Sequence, residues 1–136
     1  MKKLFVALFS VTLLSGCVTM NQSVLGTSNS QVATRNYQSR MFDTSDKKMV
    51  LRSVISTMQD LGFIIDRADE TLGTVSGTSF KNNSKMTVSV RASGKKQMLV
   101  RANASANLHE ITEPAAYQNF FNALSQSLFL DAHMVE

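Results

Sequence analysis

The sequence predicts an α+β domain: an antiparallel sheet of about four strands with two helices packed on one face, behind a cleavable leader and a flexible tether. Three observations predict it. Residues 85–92 and 98–106 alternate apolar and polar side chains around a Gly-containing turn, which marks an antiparallel hairpin with one wet face. Residues 46–61 and 117–128 each carry an apolar stripe at helical spacing. One-sided helices and a one-sided sheet bury those faces by stacking, which gives two layers. At 136 residues, 43% hydrophobic and 18% charged, the chain is sized for one domain and is not composed like a disordered one.

The chain opens with Met1-Lys2-Lys3, a short cationic stretch. Leu4 to Leu14 (LFVALFSVTLL) follows, 11 residues interrupted only by Ser10 and Thr12. A bilayer-spanning helix needs about 20 residues, so this run is too short to cross but fits a secretory leader. Leu14-Ser15-Gly16-Cys17 comes next. Small side chains at 15 and 16 let the chain lie extended in a peptidase, and the Cys17 thiol is a nucleophile that can take a lipid. The run resembles the bacterial lipobox. That resemblance implies a diacylglycerol thioether on Cys17, cleavage before it, and acylation of the new amine. Such an anchor exceeds the two signals that stable membrane attachment requires. Residue 18 is Val; in enterobacteria-like lipoprotein sorting, Asp there retains the protein at the inner membrane. The resemblance thus implies a lipid-anchored, periplasm-facing place at the cell outer membrane.

Val18 to Thr34 has no charged residue and no periodic apolar pattern, and is rich in Ser, Thr, Asn and Gln. It reads as a coil tether with a reach of about 20–25 Å. The expected organisation is a signal peptide over 1–16, the lipidated Cys17 and tether over 17–35, and a folded domain over 36–136.

Tyr37 to Phe42 is short and aromatic-bearing, as an edge strand would be. Asp43-Thr44-Ser45-Asp46 supplies N-cap side chains. Val50, Leu51, Val54, Ile55, Met58 and Leu61 form the stripe of the first helix. Gly62 stops it, with Phe63 folding back on Met58. Phe63-Ile64-Ile65 begins a strand that ends at the turn Asp69-Glu70-Thr71. Thr74 to Phe80 is β-prone, with Gly77 marking a bulge. On the hairpin, Met86, Val88, Val90 and Ala92 share one face, as do Met98, Val100, Ala102, Ala104 and Ala106. The small Ala residues leave room for bulk above them. The last helix supplies it: Thr112 or Glu113 caps, Pro114 suits the first turn, and Tyr117, Phe120, Phe121, Leu124 and Leu128 form a wide stripe.

Loss of Lys2 and Lys3 with the leader leaves 12 Lys+Arg against 10 Asp+Glu, a balance of +2. Lys47/Lys48 and Lys95/Lys96 are separate pairs beside turns or caps, so no basic stripe for nucleic acid and no polybasic membrane patch forms. One Cys and two His cannot assemble a zinc pattern. His109 with Glu110 and Glu113 is a loop cluster short of the three convergent ligands that catalytic zinc wants. His133 sits near the C-terminus. Asp66, Asp69 and Glu70 could serve glycoside hydrolysis, yet acidic turns are routine and no Trp is present to line a sugar site. There is no GxSxG elbow and no phosphate-cradling Gly loop. No catalytic set, metal site or cofactor is expected, and the eight Met residues fit an adaptable core.

Arg40-Met41-Phe42-Asp43-Thr44, then Leu51, Met58-Gln59-Asp60-Leu61-Gly62-Phe63, and finally Tyr117-Gln118-Asn119-Phe120-Phe121, Leu124 and Phe129-Leu130, resemble a class of small proteobacterial lipoproteins. The helix-on-sheet order is also similar to the helix-grip domains of a lipoprotein component of the outer-membrane barrel-assembly machinery, at fold level only. Those resemblances carry fold information and little chemistry; the lipid anchor, the tether, the small domain and the lack of a catalytic set point to a non-catalytic accessory or structural subunit. It would be bound to the membrane through Cys17 and would dock on a protein partner in an outer-membrane-associated complex for secretion, efflux or barrel assembly. The alternative is a binding module for a small apolar ligand, lipid or peptide held between helix and sheet at the Phe120/Phe121 stripe.

Overall fold

A computed structural model describes residues 28–133, with side chains for 32–129. The expected leader over 1–16, Cys17 and Val18 lie outside the described residues. The fold is α+β, built on an antiparallel sheet. Its elements are α1 (Ser28–Tyr37), β1 (Ser39–Phe42), α2 (Lys47–Asp60), β2 (Ile64–Asp69), β3 (Thr74–Ser79), β4 (Ser84–Ser93), β5 (Gln97–Ala106), β6 (His109–Glu110) and α3 (Pro114–His133).

The expected four-strand meander is β2 to β5, laid down in sequence order. Outside it, β1 pairs along β5, and the two-residue β6 continues along the same strand. The strand order is β1-β5-β4-β3-β2, so α2 must carry the chain from one edge of the sheet to the other. Both edges are short: four residues in β1 and six in β2.

α2 forms where the sequence punctuates it. Asp46 is the N-cap, and its carboxylate accepts from the Met49 N–H at 2.9 Å. At the other end the Phe63 N–H donates to the Met58 carbonyl and the Gly62 N–H to the Gln59 carbonyl, both at 2.9 Å, with Gly62 at φ +85°. That is a Schellman ending, whose left-handed residue suits glycine. The buried arc is wider than the apolar stripe. Val50, Leu51, Val54 and Met58 are buried as expected, but so are Ser53 and Thr57, while Leu61 is exposed. The reason is tertiary: α2 touches both the sheet and α3.

The core sits between that helical layer and one face of the sheet. Val75, Met86, Val88, Val90, Met98, Val100, Ala102 and Ala104 come from the strands; Tyr117, Phe120, Phe121 and Leu124 come from α3. Ala92 departs from the alternation and is exposed. β3 stops pairing with β4 at Ser89, so the tip of the β4–β5 hairpin extends past the neighbouring strand.

Three expectations change. First, a third helix is present: residues 28–35, expected as a coil tether, lie in α1. Tyr37 ties α1 down, donating from its hydroxyl to the Thr112 carbonyl at 2.6 Å with its ring 5.6 Å from that of Tyr117. Local sequence does not show that anchorage. Second, the bulge is on β2, where the register shifts around Asp66, and not at Gly77. Gly77 is needed for a different reason: a Cβ there would lie 2.8 Å from the Ile64 carbonyl oxygen and 3.0 Å from Met58 Cε. The glycine lets α2 and the strand entry press onto β3. Third, the sheet has six strands, because tertiary pairing along β5 orders the short β1 and β6.

Candidate functional site

Of the residues that could carry chemistry, Asp66, Asp69 and Glu110 are held in structural roles. Asp66, extruded by the bulge, accepts from the Thr78 hydroxyl at 2.7 Å. Asp69 organises the β2–β3 turn, its carboxylate accepting from the Leu72 N–H at 2.8 Å and lying 3.5 Å from the Arg67 guanidinium. The Leu72 N–H is the main cause of a lowered Asp69 pKa. Partial desolvation opposes it, and Arg67 and the Thr71 N–H add to it. Glu70 is exposed on the same turn. His109 and Glu110 form β6 and are exposed, and Glu113 lies before Pro114. Glu110 accepts from the Gln38 side-chain amide at 3.0 Å. The side chain of His133 is outside the described residues. Among the described residues no three His, Cys, Asp or Glu side chains converge on a metal position, and no helix is long and apolar enough to cross a membrane.

The Phe120/Phe121 stripe faces inward. Both rings are buried and meet edge to face with centroids 5.2 Å apart. The Arg40 guanidinium lies 5.0 Å from the Phe121 centroid and caps the outer end of that stack. A ligand between helix and sheet would have to displace these rings.

A polar group buried in the same layer is absent from the sequence expectation. Tyr117, fully buried, donates to the Ile111 carbonyl at 2.7 Å and accepts from the Ala104 N–H at 3.1 Å and the Gln38 amide at 3.2 Å. Gln38 is itself buried, and its backbone carbonyl accepts from the Ala102 N–H. One hydroxyl thus satisfies a β5 donor and joins the start of β1 to α3.

Two surface hollows lie among the described residues. One, about 220 Å³, runs between α2 and β2. Leu51, Ile55, Ala68 and Val75 supply its apolar lining, Lys48 and Arg52 stand on the helix, and Asp69 and Glu70 stand on the strand end and turn. It borders the outer edge of β2, which pairs with no strand among the described residues. The other, about 270 Å³, lies on the open face of the sheet and is lined by Ser89, Arg91, Leu99, Arg101 and Asn103. The alternation in sequence puts these side chains on the wet face, and there they lie. Their diagonal neighbourhood follows from the hairpin register, in which Arg91 faces Leu99 and Ser89 faces Arg101.

No known protein family matches this chain, and no characterised protein shows significant sequence similarity to it.

Proposed function

We propose that this chain is a non-catalytic, lipid-anchored accessory subunit of an outer-membrane-associated complex in the bacterial envelope, held by lipid on Cys17 and facing the periplasm. The observation that carries the docking role is the α2–β2 hollow, where an apolar floor lies beside an unpaired strand edge between Lys48/Arg52 and Asp69/Glu70. A strand edge offers backbone donors and acceptors, and the floor offers apolar contact, which together suit an extended protein segment. The side chains best suited to chemistry, Asp66, Asp69 and Glu110, are committed to turns and tertiary hydrogen bonds. The Leu14-Ser15-Gly16-Cys17 run supports the anchor.

Two measurements test the two halves separately. Cys17→Ser should abolish incorporation of labelled palmitate and leave the protein unprocessed or outside the outer-membrane fraction. A wild-type chain that takes up no palmitate in a lipoprotein-competent host overturns the anchor. Arg52→Glu, at an exposed position on the rim of the hollow, should remove a stoichiometric partner from detergent-solubilised complexes without shifting the melting temperature. Retention of that partner by Arg52→Glu overturns the docking site.

A further inference from the structure

The open face of the sheet holds an arrangement that the docking role does not use. Arg91 and Arg101 sit on adjacent antiparallel strands, and Arg101 is two residues beyond Leu99, the partner of Arg91. Such diagonal neighbours lie about 7–8 Å apart, within reach of one shared group for side chains as long as arginine. Neither guanidinium has a hydrogen bond or ion pair among the described residues; the single ion pair there joins Arg67 to Asp69. Arg101 Nε is sealed from solvent and has no acceptor. A buried donor without a partner carries the full cost of its lost hydration, so its presence calls for an acceptor that the chain itself does not supply.

The surroundings define that acceptor. The Ser89 hydroxyl and Asn103 amide line the same hollow and add neutral donors. Acids elsewhere on the sheet are already engaged: Asp43, just past β1, accepts from Gln97, and Asp66 and Asp69 of β2, at the far edge of the strand order, are engaged with Thr78 and Arg67. The lining of the hollow therefore holds two positive groups and no acid. A carboxylate would balance only one of them. A phosphomonoester carries about −1.5 to −2 at neutral pH and offers three strong acceptor oxygens. Arginine forks match those oxygens in a bidentate manner. Leu99 in the hollow, with the exposed Met41 beside it across β1, adds an apolar margin for whatever bears the phosphate.

We propose that Arg91 and Arg101 form a binding site for a phosphoryl group on the open face of the sheet, with Ser89 and Asn103 as neutral donors. A free phosphomonoester and a phosphorylated lipid headgroup present the same oxygens, so the site is defined by the group they share. It is independent of the lipid anchor and of the α2–β2 hollow.

The test is calorimetric titration of the full chain, solubilised in neutral detergent, with inorganic phosphate, glycerol 3-phosphate, dihexanoyl phosphatidic acid and acetate. Saturable binding of the phosphoryl probes, with acetate weaker, is the expected result. Phosphatidic acid binding more tightly than glycerol 3-phosphate identifies the lipid source, and equal binding identifies the soluble one. Arg101→Gln and Arg91→Gln should each weaken phosphate binding by about tenfold or more, the size of one lost charge-assisted interaction. Arg101→Lys, which keeps the charge and loses the fork, should recover only part of it. Arg91 is exposed, so its variant tests the site even where replacement of Arg101 lowers the melting temperature. Absence of saturable phosphate binding, acetate binding as tight as phosphate, or full affinity in both Gln variants overturns the proposal.

Discussion

Tyr117 shows how one side chain joins distant parts of the chain. Its ring fills the space above the small residues of β5, and its hydroxyl serves Ala104, Gln38 and Ile111 at once. Tyr117→Phe keeps the ring and strands two donors and an acceptor in a buried place. It should cost about 1–3 kcal/mol, read as a lower midpoint in urea unfolding of a chain beginning at Ser28. Tyr117→Phe as stable as wild type would show that water replaces the hydroxyl. Asp69 acts at the surface. Its folded pKa lies below its ordinary value, chiefly through the Leu72 N–H, so its contribution to stability is present above the unfolded carboxyl pKa. That contribution is lost as pH falls through the lower, folded value. Asp69→Asn should therefore melt below wild type at neutral pH, and the two melting curves should converge in strong acid. A constant difference across that range would assign the effect to geometry alone.

Among the elements, α2 and β3 meet over a glycine. A methyl group at Gly77 would press on the Ile64 carbonyl, a backbone atom with little freedom to move, as well as on Met58. Gly77→Ala should destabilise by about 1–3 kcal/mol, the usual cost of adding a methylene to a filled core. A melting temperature equal to wild type would place the strand entry further from β3. α1 is a polar helix with no strong stripe, and it holds its place through its last turn. The Tyr37 contacts with Thr112 and Tyr117 are the observable reason. A chain beginning at Gln38 should melt several degrees below one beginning at Ser28, since each kcal/mol shifts a domain of this size by about 4–8 °C. Identical melting would return residues 28–37 to the tether.

In the molecule as a whole, the two faces of the sheet have separate work. One is covered by α2 and α3 and carries the hydrophobic core. The other stays open, with Arg91 and Arg101 at its centre. The strand order puts β5, not β1, inside the sheet, so the early edge strand is fixed by a late one. That non-local pairing makes the N-terminal part of the domain depend on chain that follows it by about 60 residues, as Ser39 opposite Arg101 shows. Cooperative loss of both ends on heating follows from the shared Gln38–Tyr117 link.

Local chemistry is enough to specify α2 from cap to stop, because Asp46, Gly62 and Phe63 act on backbone within a few residues of themselves. The β4–β5 hairpin and its wet face are legible for the same reason: alternation and a tight turn are short-range features. The inward direction of Tyr117, Phe120, Phe121 and Leu124 is legible too, since a stripe at helical spacing has one side to bury. The roles of Gln38, Gly77 and α1 emerge from packing and from nothing local. Each depends on an atom distant in sequence or carried on a facing element: Tyr117 for Gln38, Ile64 and Met58 for Gly77, Thr112 for Tyr37. The candidate sites divide in the same way. Arg91 and Arg101 read as wet-face residues from their alternation, but their lack of an ion-pair partner among the described residues is a property of the whole sheet, and the α2–β2 hollow exists only once α2 has crossed to the far edge.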